Sequence, residues 1–159
     1  MKVLITGGSG MVGTKLTSML LENGHEVAHL SRSSKERKDV EVYVWDVMAG
    51  TIDANAINGV DAIVHLAGAG VADERWTDER KKVILSSRVE TAQLLIKVLT
   101  ENQHQVKTFL SASGMGYYGD NGGKEMKESD EVGDDFLAEV CKYWEKSTEP
   151  IGEMGIRRA

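Results

Sequence analysis

The chain has 159 residues, 41% of them hydrophobic and 28% charged, with 25 acidic against 19 basic side chains and a formal charge of −6. That length suits one domain with a real core. No run of 18 apolar residues suggests a membrane span, and the acidic balance weighs against a nucleic-acid partner despite the basic cluster from Arg32 to Lys38. A single cysteine, Cys141, excludes an internal disulfide and cannot by itself hold zinc, so no metal site is expected. The apolar run Val3 to Ile5 is too short for a signal peptide, and the expected location is the cytoplasm.

The first strand is predicted at Val3 to Ile5, and the stretch TGGSGMVG leads from it into a helix. In that helix Val12, Leu16, Met19 and Leu20 recur at three-to-four spacing, and Asn23-Gly24 supplies the stop. Further short apolar runs end at Leu30 and cover Val42 to Trp45, Ala62 to Ala67 and Thr108 to Leu110. None alternates apolar with polar residues over much length, which suits strands buried on both faces of a parallel sheet. A long helix is predicted from Asp78 to about Thr100, with Thr77 as N-cap, Asp78 and Glu79 favourable to its dipole, and Val83, Ile84, Leu94, Leu95, Val98 and Leu99 as its apolar part. A last helix starts at Asp134 or Asp135, with Leu137, Val140, Cys141, Trp144 and Thr148 on one face. Ser31 to Asp39 and Tyr117 to Gly133 read as surface loops.

Strand and helix in repetition predict an α/β fold, a Rossmann-type doubly wound parallel sheet. The end, IGEMGIRRA, stops just after a helix where the pattern calls for another strand. The expectation is therefore one nucleotide-binding domain over 1–159, a fragment that ends before the last strands and the substrate lobe.

The glycines can be read as Gly7-x-x-Gly10-x-x-Gly13 or Gly8-x-Gly10-x-x-Gly13, between a strand and a helix. Glycine there allows a tight turn and close approach of backbone to a pyrophosphate, while the helix N-terminus offers unpaired N–H groups. A P-loop does not fit, because Gly13-Thr14-Lys15 reverses the required order. The second strand then ends His29-Leu30-Ser31-Arg32-Ser33, without the acid that commonly binds a ribose 2′-hydroxyl in NAD domains. Arginine and serine welcome a 2′-phosphate, so the cofactor expected is NADP.

TGGSGMVG, the WDV at Trp45 to Val47, HLAGAG at His65 to Gly70, SASGMGYYGD at Ser111 to Asp120 and FLAEVCKYWE at Phe136 to Glu145 occur in an order that resembles an extended short-chain dehydrogenase/reductase. More narrowly, the chain resembles the atypical, nucleoside-diphosphate-sugar epimerase-like subgroup. The resemblance implies that Gly7, Gly10 and Gly13 form the pyrophosphate turn, that Ser31 and Arg32 face the 2′-phosphate, and that Asp46 and Val47 lie beside the adenine. Ala67 and Gly68 would lie under the cofactor ribose, and Thr6, Met11, Val12 and Leu66 complete the implied binding set. Ser87 falls near a structural asparagine of many relatives. His65 reads as a buried strand histidine, without a catalytic role. The resemblance also implies a small-molecule substrate and, for assembly, a homodimer formed through the two long helices.

Members of this family usually carry a Tyr-x-x-x-Lys pair, the tyrosine moving the proton and the lysine holding the nicotinamide ribose. No such pair occurs in the sequence. Anchoring the last helix on Glu145 places Leu137 and Cys141 at those two positions. Leucine carries no proton, and cysteine supplies no positive charge and reads as a small core residue. The candidate catalytic residues are Ser113, after the fifth strand, and Tyr117 or Tyr118 in the loop beyond it. Trp144-Glu145 is explained by packing and capping as well as by chemistry. Two functions fit: an NADP-dependent oxidoreductase or epimerase, and a non-catalytic NADP-binding sensor or regulator.

Overall fold

The structure is a computed structural model and describes residues 1–35 and 38–159. Its strands and helices run β1 (Lys2–Thr6), α1 (Met11–Glu22), β2 (Glu26–Ser31), β3 (Glu41–Asp46), β4 (Thr51–Ile52), β5 (Ala62–His65), α2 (Asp78–Glu101), β6 (Thr108–Ser111), α3 (Phe136–Ser147), α4 (Glu149–Glu153) and β7 (Arg157–Arg158). Single 3₁₀ turns at Ala54–Ile57 and Met115–Tyr118 fall between them. The sheet order is β4-β3-β2-β1-β5-β6-β7.

All pairings are parallel except β3 with β4, where Trp45 faces Ile52. β4 was not expected, because two residues are too few to show a period. Successive strands run outward from β1 to one side, and β5 then returns to its other side. The chain order thus switches between β1 and β5, and ligands of such sheets bind in the crevice beyond the carboxyl ends of the strands at that switch.

Alternation along β1 divides the core. Leu4 points with Ile63 and Phe109 into a large cluster that takes Leu94, Leu95, Val98 and Leu99 from α2 and Ile151 from α4. Val3 and Ile5 point the other way, with Val27, onto Leu16, Leu20 and Leu21 of α1. Each fully buried aliphatic side chain contributes about 1.5–3 kcal/mol relative to exposure.

The predicted face of α1 needs correction. Val12 and Met19 are exposed, whereas Gly13 and Thr17 are buried. The glycine turn sets this rotation: Gly13 packs backbone to backbone on Gly7, and Thr17, one helical turn on, bonds to the Gly13 carbonyl at 2.7 Å and to His29 Nε2 at 2.9 Å. In α2 the Thr77 hydroxyl accepts from Arg80 N at 3.2 Å, the expected cap, while Val83 is exposed. α3 is capped by Asp135, whose carboxylate accepts from Ala138 N at 2.9 Å.

The end of the chain is also corrected. Pro150 opens α4, Gly155 turns with φ 76°, and Arg157–Arg158 pairs in parallel with Thr108–Phe109 of β6. The further strand that the alternating pattern calls for is therefore present, in two residues. No helix among the described residues is long and apolar enough to cross a membrane.

Candidate active site

The turn after β1 is shaped by missing side chains. Gly7 has φ 70°, and a Cβ there would lie 2.9 Å from the Leu66 carbonyl carbon. A Cβ on Gly13 would lie 2.5 Å from the Gly7 oxygen. Gly10 N donates to Gly7 O at 3.0 Å, and Gly8 lies over the His29 ring. This is a cradle that side chains would fill, and it fits a pyrophosphate drawn against backbone. Gly10 caps α1 without any side-chain bond, and no acid stands in the first turn, so the N-terminal N–H groups remain for an anion. Met11 and Val12 are exposed at this end.

Parallel register brings the other implied cofactor residues to the same edge. Thr6 pairs with Leu30 in β2, so Ser31 and Arg32 stand level with Gly7 and Gly8. Arg32 is exposed, and Ser31 Oγ accepts from Ser33 N at 3.3 Å. Arg37, part of the same basic cluster, lies outside the described residues. Asp46 Oδ1 accepts from Ala49 N at 3.0 Å, which is turn capping, and Val47 packs on the core beside it.

Thr6 is fully buried and joins β1 to the end of β5. Its Oγ1 accepts from Leu66 N and Ala67 N, each at 3.1 Å, and donates to His65 Nδ1 at 2.8 Å. The opposite nitrogen, Nε2, then donates to Thr91 Oγ1 at 3.3 Å, and Thr91 donates to Ser87 O at 2.7 Å. That chain of bonds needs a neutral imidazole. Burial, with a smaller contribution from the Arg88 charge, pulls the His65 pKa down to about 4, against a raising contribution from a backbone hydrogen bond. His65 is structural, as the sequence suggested. Ser87 Oγ accepts from Ala69 N at 2.9 Å, fixing the segment after β5 to α2.

Across the crevice, Ser113 follows β6 and is exposed. Its hydroxyl donates to Glu145 Oε1 at 2.5 Å. This pairing was not anticipated. Glu145 stands one turn after Cys141 on α3, and that i,i+4 spacing on a face aimed at the crevice was the available signal. Cys141 is buried, its Sγ lying against Gly114 and Gly116. Burial first, then the Glu145 charge, pushes its thiol up; Arg88, Gly114 and Ser113 oppose this. The thiol therefore stays protonated, the core role expected. Leu137 packs against Gly116.

Tyr117 and Tyr118 sit on the 3₁₀ turn with rings edge to face at 5.3 Å. Burial, then the charges of Glu128, Asp130, Glu145 and Tyr117, raises the Tyr118 phenol above its ordinary value. It keeps its proton near neutrality and can donate a hydrogen bond, but it is a poor base.

With this geometry in hand, comparison with known proteins identifies the family. The model of the NAD dependent epimerase/dehydratase family matches residues 3–141. The chain belongs to that family. An epimerase family protein of Mycobacterium leprae is 36% identical over 155 residues, covering 98% of this chain and 49% of its own. A human epimerase family protein, solved with NADPH, is 34% identical with a TM-score of 0.76 and covers 94% of this chain and 49% of its own. The nucleoside-diphosphate sugar epimerase of Corynebacterium glutamicum is 38% identical with a TM-score of 0.81, over 99% and 32% respectively. The chain spans about half the length of the curated relatives it matches. Within this epimerase/dehydratase fold, the turn after β1 and the Ser113–Glu145 pair occupy the same sheet edge, beyond the ends of β1 and β6.

Proposed function

We propose that the full-length protein is an NADP-dependent oxidoreductase or epimerase acting on a small hydroxyl- or carbonyl-bearing substrate, with nucleotide-linked sugars in its range. The observation that carries this reading is the shared sheet edge: an anion cradle at Gly7, Gly10 and Gly13, and a serine hydroxyl bonded to a carboxylate across the crevice. The human relative solved with NADPH supports the cofactor, and the sugar-nucleotide epimerase from Corynebacterium supports the substrate class.

The cofactor-binding roles proposed are those the family resemblance implies for these positions. Gly7, Gly10 and Gly13 would hold the pyrophosphate with Thr6, Met11 and Val12 around them. Ser31 and Arg32 would hold the 2′-phosphate, Asp46 and Val47 would border the adenine, and Leu66, Ala67 and Gly68 would floor the ribose. Bound NADP supplies a carbon that accepts or donates hydride. Ser113 Oγ takes the proton of a substrate hydroxyl as its own proton passes to Glu145. In the reverse direction a protonated Glu145 returns it, and Ser113 donates to the carbonyl oxygen. Tyr118, kept protonated, donates a hydrogen bond to the same oxygen from the neighbouring loop, and Tyr117 orients it.

The missing Tyr-x-x-x-Lys pair favours a second reading, a regulator for which NADP is only a ligand. Hydride exchange between cofactor and a carbonyl compound separates the two.

The cofactor assignment is tested by titrating the full-length protein with NADPH and NADH, native and Arg32→Ala. NADPH should bind more tightly, and the substitution should weaken NADPH alone by about tenfold or more, the worth of a charge-assisted hydrogen bond. Equal affinity for both cofactors, unchanged by the substitution, contradicts it.

A further inference from the structure

The buried stripe of α2 contains one cation. Arg88 lies between Ile84 and Ala92 at helical spacing and is 8% exposed, although a charge in that position is costly unless it is compensated. Its NH1 donates to Ile84 O at 2.8 Å and to Ala69 O at 3.1 Å, and its guanidinium lies 4.9 Å from the centre of the Trp144 ring. Carbonyl dipoles and a π face offset part of the desolvation. No carboxylate pairs with Arg88 among the described residues. The neighbouring Trp144 indole N–H is buried without an acceptor among the described residues, so this corner holds more donors than acceptors.

Its position is specific. A Cβ on Gly68 would lie 3.0 Å from the Arg88 guanidinium carbon, so the side chain presses on the backbone assigned above to the floor of the cofactor ribose. On the other side the Arg88 charge acts on Cys141, the residue standing where family members carry the lysine of Tyr-x-x-x-Lys. The backbone at Gly68 therefore touches Arg88, whose guanidinium lies over the Trp144 ring and whose charge reaches Cys141.

We propose that Arg88 supplies from α2 the positive charge that the missing lysine would supply from α3, binding the nicotinamide-ribose half of NADP. The inference rests on the cofactor reading above. It accounts for three features together: the buried cation without a counter-ion among the described residues, the bare Gly68 backbone beneath it, and a small neutral residue at position 141. Lysine at 141 would place a second cation beside the first, and like charges at such range repel.

The test uses the full-length protein and two probes, NADPH and adenosine 2′,5′-bisphosphate, which lacks the nicotinamide half. Arg88→Met should weaken NADPH by about tenfold or more and leave the bisphosphate unchanged. The double variant Arg88→Met/Cys141→Lys, which returns the charge from α3, should recover most of the NADPH affinity. Retained bisphosphate binding reports that each variant is folded. Equal loss of both probes in Arg88→Met, without recovery in the double variant, would mark Arg88 as structural and overturn the proposal, as would unchanged NADPH affinity. If the native protein binds neither probe, the cofactor reading fails first and takes this inference with it.

Discussion

The ends of β1 and β6 face the same crevice and are built in opposite ways. The β1 end works by absence: Gly7 and Gly13 bring backbone where any Cβ would collide, and the first turn of α1 carries no capping side chain or acid. The β6 end works by assembly, with Ser113 from the segment after the strand, Glu145 and Cys141 from α3, and Arg88 from α2 meeting at one corner. A site for a phosphate group can be made from local backbone. A site for proton transfer needs side chains of particular pKa and reach, drawn from separate elements.

The largest expected effect comes from removing the carboxylate at the β6 end. In the full-length protein Glu145→Gln is expected to slow NADPH-dependent carbonyl reduction by about 10² to 10⁴, the usual worth of a proton-transfer group, without changing NADPH affinity. Steady-state rates alongside fluorescence titration check both parts. Parallel losses of rate and affinity would show that the two ends are not separable.

A smaller effect sharpens the boundary between them. His65 links Thr6 at the β1 end to Thr91 on α2 and is held neutral, with a pKa of about 4 in the fold. In the unfolded chain the imidazole protonates near its ordinary pKa of about 6.5. Below that pH the unfolded state binds more protons, so stability falls as pH drops towards about 4, by on the order of 1 kcal/mol per pH unit. Above pH 6.5 the contribution is fully present. Denaturant unfolding across this window should show a flatter pH dependence for His65→Gln than for the native protein, and equal slopes would remove the assignment.

What the sequence revealed follows the same division. The strand-turn-helix at Val3 to Leu20, the cap Thr77, the start of α3 at Asp134 or Asp135, and the buried face of α3 were legible because each is set within a few residues. The rotation of α1 was misjudged, since apolar spacing favoured Val12 and Met19 while the close approach of Gly13 to Gly7 decided which face turned inward. β4 and β7, each of two residues, are defined by their neighbours in the sheet and carry no period of their own. Ser113 was visible as a residue at a strand end. Its partner, 32 residues away, was not, because the fold alone brings them together. Arg88 is marked in the sequence by a charge in the middle of an apolar stripe, with Ile84 and Ala92 on either side.

The most direct test of the whole account is NADPH titration of the full-length protein carrying Gly13→Ala, with circular dichroism to show that the sheet persists. A methyl group there meets the Gly7 carbonyl oxygen at 2.5 Å, so the turn must open, and NADPH affinity should fall by about tenfold or more. Binding as tight as in the native protein, with the fold intact, would show that no diphosphate rests in this turn.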